Sequence, residues 1–362
     1  MADWSCRAPM KQLFRMLPLA VATAMVATAC SRDSGAADPA PAVPDDQAAT
    51  DREPDDTLTV YARDREIAEP LFDQFERQTR IKVRARWGNP IDLADQILED
   101  GANSPADVFY GPLSDALGSL SAAGRLATLS DQQLDRIPAA YRSPDGTWVG
   151  TSGRAHVVFY NTDKLRKDDV PDSILGFTDP AWRGRIGWDP TSRSLQDVIT
   201  ALRQIEGEEE ARAWLEGIQA NAPAVFQGAT PIVAAVAAGE IIDVGFGSHS
   251  YLDDQQAEDD AMNVAAKFYG GDPGGLLNVA GVGIIEGTDK EAAASAFVDF
   301  MLSQIVGQYY AEDTTEIPVL EGVEPRKGSP TADDLTVPGL DVRQFEELDG
   351  ARRLLSEVGI IM

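Results

Sequence analysis

The length, charge and cysteine content of this 362-residue chain exclude several classes of protein. Its 43% hydrophobic residues are enough for packed cores, and the net charge of −28 excludes a nucleic-acid backbone as a partner. Two cysteines, Cys6 and Cys30, and two histidines, His156 and His249, exclude a disulfide framework and leave little material for histidine-based metal sites or nucleophilic catalysis.

The first 29 residues have the pattern of an export signal. Lys11 and Arg15 precede an apolar run over residues 16–29, which is shorter than a membrane span. The run ends in Ala27-Thr28-Ala29-Cys30, which resembles the lipobox of bacterial lipoproteins and predicts lipidation at Cys30. The alternative is an ordinary signal peptide with a chance cysteine. Residues 30–56, rich in Pro, Ala and Asp, are predicted to form a disordered tether, so that only the lipid anchor contacts the membrane.

Alternating strand and helix patterns begin after the tether. Strands are predicted over residues 58–62, 81–87 and 107–110, and helices over 66–80, over 91–100 and before Gly124. This β-α-β-α-β order predicts a mostly parallel sheet whose ligand sites lie beyond the carboxyl ends of its strands.

The second half of the chain continues this alternation. Strands are predicted over residues 155–160, 241–245 and 278–285, and helices over 194–221 with a break at Gly207, over 290–310 and over 345–358. Residues 247–251 are predicted to open into a loop after their strand. The strand over 278–285 is expected to return to the first sheet.

Several segments, in their order and spacing, resemble one known family. They are LTVYARDREIAEPLFDQFERQTRIKV (58–83), SPADVFY (104–110), WVGTSGRAHVVFYNTDKL (148–165), DPAWRGRIGWDPTS (179–192), AGEIIDVGFGSHSYL (238–252) and GDPGGLLNVAGVGII (271–285). Together they resemble the ferric-ion-binding branch of the periplasmic solute-binding proteins that serve ABC importers.

The resemblance implies an α/β fold of the two-lobed periplasmic-binding-protein type (type II). A ligand cleft would lie between the lobes, and the crossovers that join them would act as a hinge. By analogy, lobe 1 comprises residues 57–153 with 280–325, and lobe 2 comprises residues 154–279 with 326–362.

The resemblance also implies an iron site. Family members hold Fe3+ chiefly with a tyrosine pair in an Asn-His-Tyr-Tyr segment, where this sequence has Ser248-His249-Ser250-Tyr251. Tyr251 is therefore the predicted phenolate ligand, with His249 and Tyr61 as further candidates. Arg65 and Pro112 stand where relatives carry a histidine and an acidic ligand. The alternatives are an aromatic lid for Tyr251 and a structural hydrogen bond for His249.

A second group of predicted site residues suits an anion. These residues carry hydroxyl or guanidinium groups near predicted strand ends or crossovers: Arg65, Arg154, Thr191, Ser192, Arg193, Ser248 and Ser250. Arginines suit carboxylates and phosphates, and hydroxyls at a helix start also serve as ordinary caps. Arg63 is expected to join the arginines in the cleft.

The sequence thus predicts an exported receptor in the periplasm or on the cell surface. Its expected ligand is Fe3+ with a synergistic anion such as carbonate or phosphate, and no catalytic cofactor is expected. The expected partners of this monomer are an ABC permease and its ATPase. The alternative is a receptor for an organic anion without metal, such as a phosphonate, a sugar phosphate or a carboxylate chelate. No motif of a hydrolase or nucleotide-binding enzyme occurs, so an enzyme is not expected.

Overall fold

The computed structural model describes residues 57–112, 116–259, 261–340 and 349–362, within one compact unit, Pro54–Met362. The predicted signal peptide, the tether and Cys30 lie outside the described residues. Within these ranges, no helix has both the length and the apolar character that crossing a membrane requires.

Strands and helices alternate along most of the described chain. The strands are β1 Thr57–Ala62, β2 Lys82–Trp87, β3 Val108–Pro112, β4 Trp148–Asn161, β5 Ile186–Trp188, β6 Ala224–Val225, β7 Val244–Ser248, β8 Val264–Lys267, β9 Leu277–Ile284 and β10 Ile317–Pro318. The α-helices are α1 Arg65–Thr79, α2 Pro90–Asp100, α3 Gly118–Ala122, α4 Asp131–Leu134, α5 Arg193–Ile205, α6 Glu208–Ala220, α7 Ala229–Ala238, α8 His249–Glu258, α9 Glu291–Met301, α10 Gln304–Asp313 and α11 Asp349–Glu357. Short 3-10 helices cover Gly101–Asn103, Ala139–Tyr141, Lys167–Asp169, Ile174–Thr178, Pro180–Trp182, Pro273–Gly275 and Asp333–Leu335.

The strands form a mixed sheet in the order β2-β1-β3-β9-β4-β7-β5-β6, with β8 and β10 also paired to β4. Strand β1 is parallel to β2 and β3, whereas β9 is antiparallel to both β3 and β4. The predicted return of the late strand to the first sheet is therefore confirmed. The expectation of a mostly parallel sheet is wrong around β4, where β7, β8, β9 and β10 all run antiparallel to it.

Strand β4 is the longest strand and joins the two parts of this sheet. Its first part, to Ala155, pairs with β9, and its second part, from His156, pairs with β7 and β8. The sequence pattern predicted only residues 155–160, because Gly150 and Gly153 weaken the strand signal before them. Both glycines permit close packing: a Cβ atom at Gly153 would lie 2.7 Å from Leu277 Cγ, and one at Gly150 would lie 2.8 Å from the Tyr141 carbonyl oxygen.

Large buried aromatic residues belong to two hydrophobic clusters. In the first, Phe75 of α1 meets Phe297 of α9 edge to face, with ring centroids 5.1 Å apart. In the second, Trp214 of α6 stacks near Phe246 of β7 and donates a hydrogen bond of 2.9 Å to the Ile174 carbonyl oxygen. Burial of each such side chain stabilises the fold by about 1.5–3 kcal/mol.

The helix predictions differ from the structure at two places. The helix expected over residues 290–310 is divided into α9 and α10, because Ser303 caps α10 by accepting a hydrogen bond of 3.4 Å from the Val306 N–H. The loop expected over residues 247–251 contains the start of α8 at His249. The predicted break at Gly207 is confirmed, since this residue has a φ of 97° between α5 and α6.

Candidate functional site

A cleft of about 360 Å³ lies where several strands end and helices begin. Helices α2, α5, α7 and α8 follow strands β2, β5, β6 and β7, and residues at the start of each helix line the cleft. Because the amino-terminal end of a helix carries partial positive charge, these helices favour negative charge in the cleft. The prediction that the site lies beyond the carboxyl ends of strands agrees with this cleft.

Two arginines and two carboxylates meet at one side of the cleft. Arg154 Nε lies 3.1 Å from Glu316 Oε1, and Arg154 Nη2 lies 3.2 Å from Asp64 Oδ2. Arg63 Nη2 lies 2.7 Å from Asp64 Oδ2 and 3.8 Å from Glu316 Oε1. The buried Glu316 carboxylate also accepts a hydrogen bond from the Ser152 hydroxyl. We call Arg63, Asp64, Arg154 and Glu316 the arginine–carboxylate cluster.

The cluster holds Arg154 in the charged form. Burial disfavours the charge on Arg154, but the carboxylates of Glu316 and Asp64 outweigh this effect and raise the pKa of Arg154 above its ordinary value. The guanidinium of Arg154 is therefore a fixed positive group at the wall of the cleft.

Another arginine and two carboxylates lie at the start of α5. Arg193 Nε donates a hydrogen bond of 2.8 Å to Asp197 Oδ1, and Asn278 Nδ2 donates one of 2.8 Å to Asp197 Oδ2. Asp189 Oδ1 accepts hydrogen bonds of 2.9 and 2.6 Å from the N–H and hydroxyl of Thr191, and its Oδ2 accepts one of 2.8 Å from the Gly228 N–H. Asp189 thereby joins the loops before α5 and α7.

The predicted hydroxyl residues occupy different positions around this loop. Ser192 lines the cleft and caps α5, since its Oγ accepts a hydrogen bond of 3.4 Å from the Leu195 N–H. Thr191 turns its hydroxyl to Asp189 and does not line the cleft. Ser248 lines the cleft, whereas Ser250 is buried behind it, with the two hydroxyl oxygens 3.2 Å apart.

Tyr251 and His249 lie in the same turn of α8 but in different environments. Tyr251 lines the cleft and is 44% exposed. His249 is buried, and both ring nitrogens are engaged: Nδ1 accepts a hydrogen bond of 3.0 Å from the Ala155 N–H, and Nε2 donates one of 2.7 Å to the Thr315 carbonyl oxygen. In this structure His249 has a structural role and leaves no nitrogen for a metal ion.

Tyr61 and Arg65 also lie away from the cleft. Tyr61 is buried at the end of β1, and its hydroxyl accepts a hydrogen bond of 3.0 Å from Arg86 Nη1. Arg65 is exposed at the start of α1 and pairs with Glu69 at 2.7 Å. The structure therefore brings Arg63, Arg154 and Arg193 into the cleft, and it does not bring Tyr61 or Arg65 there.

The protein itself offers few donors for a metal ion. In the part of the chain that the structure describes, no group of three or more His, Cys, Asp or Glu side chains is placed to hold one. The two cleft carboxylates, Asp189 and Glu316, are engaged by hydrogen bonds and arginines. Tyr251 is the predicted metal ligand that the structure places at the cleft surface.

The sequence patterns did not identify Asp189, Asn278 or Glu316 as cleft residues. Asp189 directly follows β5, so the rule that sites lie beyond strand ends could have found it. Glu316 follows helix α10, and the pairing of β10 with β4 brings it to the cleft. No local sequence signal marks such a position, because it depends on a contact between distant parts of the chain.

The fold is of the two-lobed periplasmic-binding-protein type. It combines a mixed sheet, two hydrophobic clusters and a polar cleft at the strand ends. The chain belongs to the family of bacterial extracellular solute-binding proteins, whose pattern matches residues 70–337.

Individual relatives and solved structures are similar to this chain over most of its length. The chain is 30% identical to the major ferric iron-binding protein of Neisseria meningitidis over 312 residues, which cover 84% of this chain and 93% of that protein. It superposes on iron-bound HitA from Pseudomonas aeruginosa with a TM-score of 0.73 at 30% identity, covering 84% of this chain and 99% of the other. For Trichodesmium FutA in complex with iron and citrate ligands, the TM-score is 0.73 at 28% identity, with the same coverage.

Proposed function

We propose that this protein binds ferric iron together with an anion in its cleft and delivers it to an ABC importer. The support comes from relatives described as ferric iron-binding proteins and from the position of Tyr251. A phenolate is a hard, anionic oxygen donor of the kind that a small trivalent cation prefers. The metal displaces the phenol proton, so binding takes place at neutral pH.

The carrying observation is the phenol of Tyr251 at the cleft surface, with Arg154 close enough to interact with it electrostatically. One phenolate leaves most of the coordination positions of a ferric ion unfilled. We therefore propose that the accompanying anion supplies most of the remaining oxygens. The arginines and the starts of helices α2, α5, α7 and α8 favour such an anion.

A second candidate is an organic anion bound without metal. The observation that favours it is that Arg63, Arg154 and Arg193 share the cleft wall with several helix starts. This candidate predicts that a carboxylate or phosphate compound stabilises the protein in the presence of a chelator.

The remaining sequence predictions complete this proposal. We propose export, lipidation at Cys30, a monomeric receptor and docking of its ligand-bound form on a permease with its ATPase. The ligand would stabilise a closed arrangement through its higher affinity for that arrangement. The change of partners within β4, between Ala155 and His156, supports the proposed lobe boundary at residues 153–154.

The test is a titration of the purified, metal-stripped protein with ferric ion supplied as a weak chelate. The titration is run with carbonate, phosphate or citrate and without added anion, and it is followed by visible absorbance and thermal shift. We expect a tyrosinate charge-transfer band and a raised Tm, both lost on acidification as the phenolate is reprotonated.

The Tyr251→Phe variant should abolish the visible band and weaken iron binding by at least tenfold, because the phenyl ring has no oxygen to donate. The matched control is Tyr160→Phe, since Tyr160 is a buried residue of β4 that does not line the cleft. A colourless wild-type protein in excess iron, or an unchanged band in Tyr251→Phe, would refute the ferric proposal. Stabilisation by an anion alone would favour the second candidate.

A further inference from the structure

Each arginine that lines the cleft within the described residues lies against a carboxylate. Arg193 pairs with Asp197, and in the arginine–carboxylate cluster Arg63 and Arg154 share Asp64 and Glu316. The cluster contains two positive and two negative side chains, so its formal charges cancel. These arginines therefore do not form an unopposed positive site.

Glu316 is unusual among these carboxylates because it is buried and also lines the cleft. Water screens a buried carboxylate poorly, so an anion bound at Arg154 experiences its repulsion at close range. Asp64 is more exposed, with 37% of its side chain accessible, and it contacts the same arginines at 2.7 and 3.2 Å. Its effect on a bound anion should have the same sign and a smaller size.

We propose that Glu316, assisted by Asp64, determines the specificity of the cleft by neutralising Arg63 and Arg154, so that the cleft rejects metal-free polycarboxylates. The inference rests on the proposed function and specifies its substrate class. The accepted solute is a complex in which the cation has already cancelled most of the charge of its anion. Free citrate, with its charged carboxylates, would be rejected, and its ferric complex would be accepted.

In an iron receptor, a neutral arginine–carboxylate cluster reduces competition from anions that carry no iron. An unopposed arginine cleft would fill with whichever anion is abundant outside the cell, and each such complex would compete with the iron-bearing one. A neutral cluster keeps guanidinium donors that can hydrogen bond to the solute, and it removes the long-range attraction for a bare anion. Salt screens only the long-range part of this discrimination, because the buried Glu316 carboxylate acts on a bound anion at close range.

The test measures citrate binding by the full-length protein in a chelator-treated buffer without iron. Isothermal titration calorimetry compares wild type with Glu316→Gln and Asp64→Asn. We expect Glu316→Gln to bind metal-free citrate about tenfold more tightly than wild type, and Asp64→Asn to show a smaller gain. Asp64 has a φ of 49°, a conformation that asparagine also adopts, so this variant should retain the start of α1.

The matched control is Glu357→Gln. Glu357 also lies between two arginines, Arg212 and Arg353, but it does not line the cleft. The citrate affinity of Glu357→Gln should equal that of wild type. A purely structural role for Glu316 would instead lower the affinity for every solute.

Unchanged or weaker citrate binding in a folded Glu316→Gln variant overturns the inference. If that variant does not fold, unchanged binding by Asp64→Asn overturns it. Because this titration contains no iron, its result is separate from the test of the ferric proposal. A missing ferric band in wild type would count against the proposed function alone.

Discussion

At the residue scale, burial decides the role of each histidine. His249 has both ring nitrogens engaged by backbone groups, and His156 donates a hydrogen bond of 2.9 Å from Nδ1 to the Gly274 carbonyl oxygen. Both side chains are buried. Their contacts hold β4 against the neighbouring segments, and neither histidine lines the cleft.

Burial lowers the pKa of His156 to about 4, well below the ordinary value near 6.5. As the pH falls from 6.5 to 4, the unfolded chain takes up a proton at this residue and the folded chain does not. Stability due to His156 is therefore present above pH 6.5 and is lost on acidification. We expect this loss to reach about 2–3 kcal/mol at pH 4.5.

Urea unfolding of wild type and His156→Gln at pH 7 and pH 4.5 measures this contribution. Glutamine keeps an N–H donor and does not titrate, so the stability of wild type relative to the variant should fall by about 2–3 kcal/mol at the lower pH. An equal difference at both pH values would show that His156 does not titrate in this range.

At the element scale, Asp189 connects two segments that begin cleft-lining helices. Its carboxylate binds Thr191 before α5 and the N–H of Gly228 before α7. Gly228 has a φ of 93°, which favours glycine, so this turn also depends on backbone freedom. The positions of two helix starts in the cleft therefore depend on one acidic side chain.

Replacing Asp189 with alanine should lower the free energy of unfolding by about 2 kcal/mol, because the donors of Thr191 and Gly228 lose a buried, charged acceptor. Urea unfolding at pH 7 measures this change. The control is Asp73→Ala on the exposed side of α1, which should change stability by less than about 0.5 kcal/mol. If both variants lose equal stability, the connection through Asp189 does not stabilise the fold.

At the scale of the whole molecule, distant parts of the chain build the cleft. Arg63 follows β1, Arg154 lies in β4, Arg193 opens α5 and Glu316 precedes β10. A solute that contacts residues of both proposed lobes stabilises the arrangement in which they are closest together. Ligand binding should therefore make the protein more compact.

Small-angle X-ray scattering with and without the ferric complex measures this change. We expect the radius of gyration to decrease on binding and to remain constant for Tyr251→Phe under the same conditions, because that variant binds iron weakly. A bound protein, shown by its visible band, with an unchanged radius would contradict closure.

Much of the fold could be predicted from local patterns. The helix over Arg65–Thr79, the break at Gly207 and the late strand Leu277–Ile284 follow from apolar periodicity and glycine positions. The first part of β4 was missed because its stability comes from pairing with β9 and β10, and local propensity does not report such pairing. The start of α8 was missed because a strand leads into it directly at Ser248.

The sequence by itself determined the acidic character of the protein, its family and a receptor-type function, because composition and the order of motifs are properties of the chain alone. It also placed Tyr251, Arg154 and Arg193 among the site residues. Only the tertiary structure decided that Tyr61 and Arg65 lie away from the cleft and that Glu316 lies in it. The physical reason is that charge pairing and burial arise from contacts between residues far apart in the chain, such as Arg154 with Glu316.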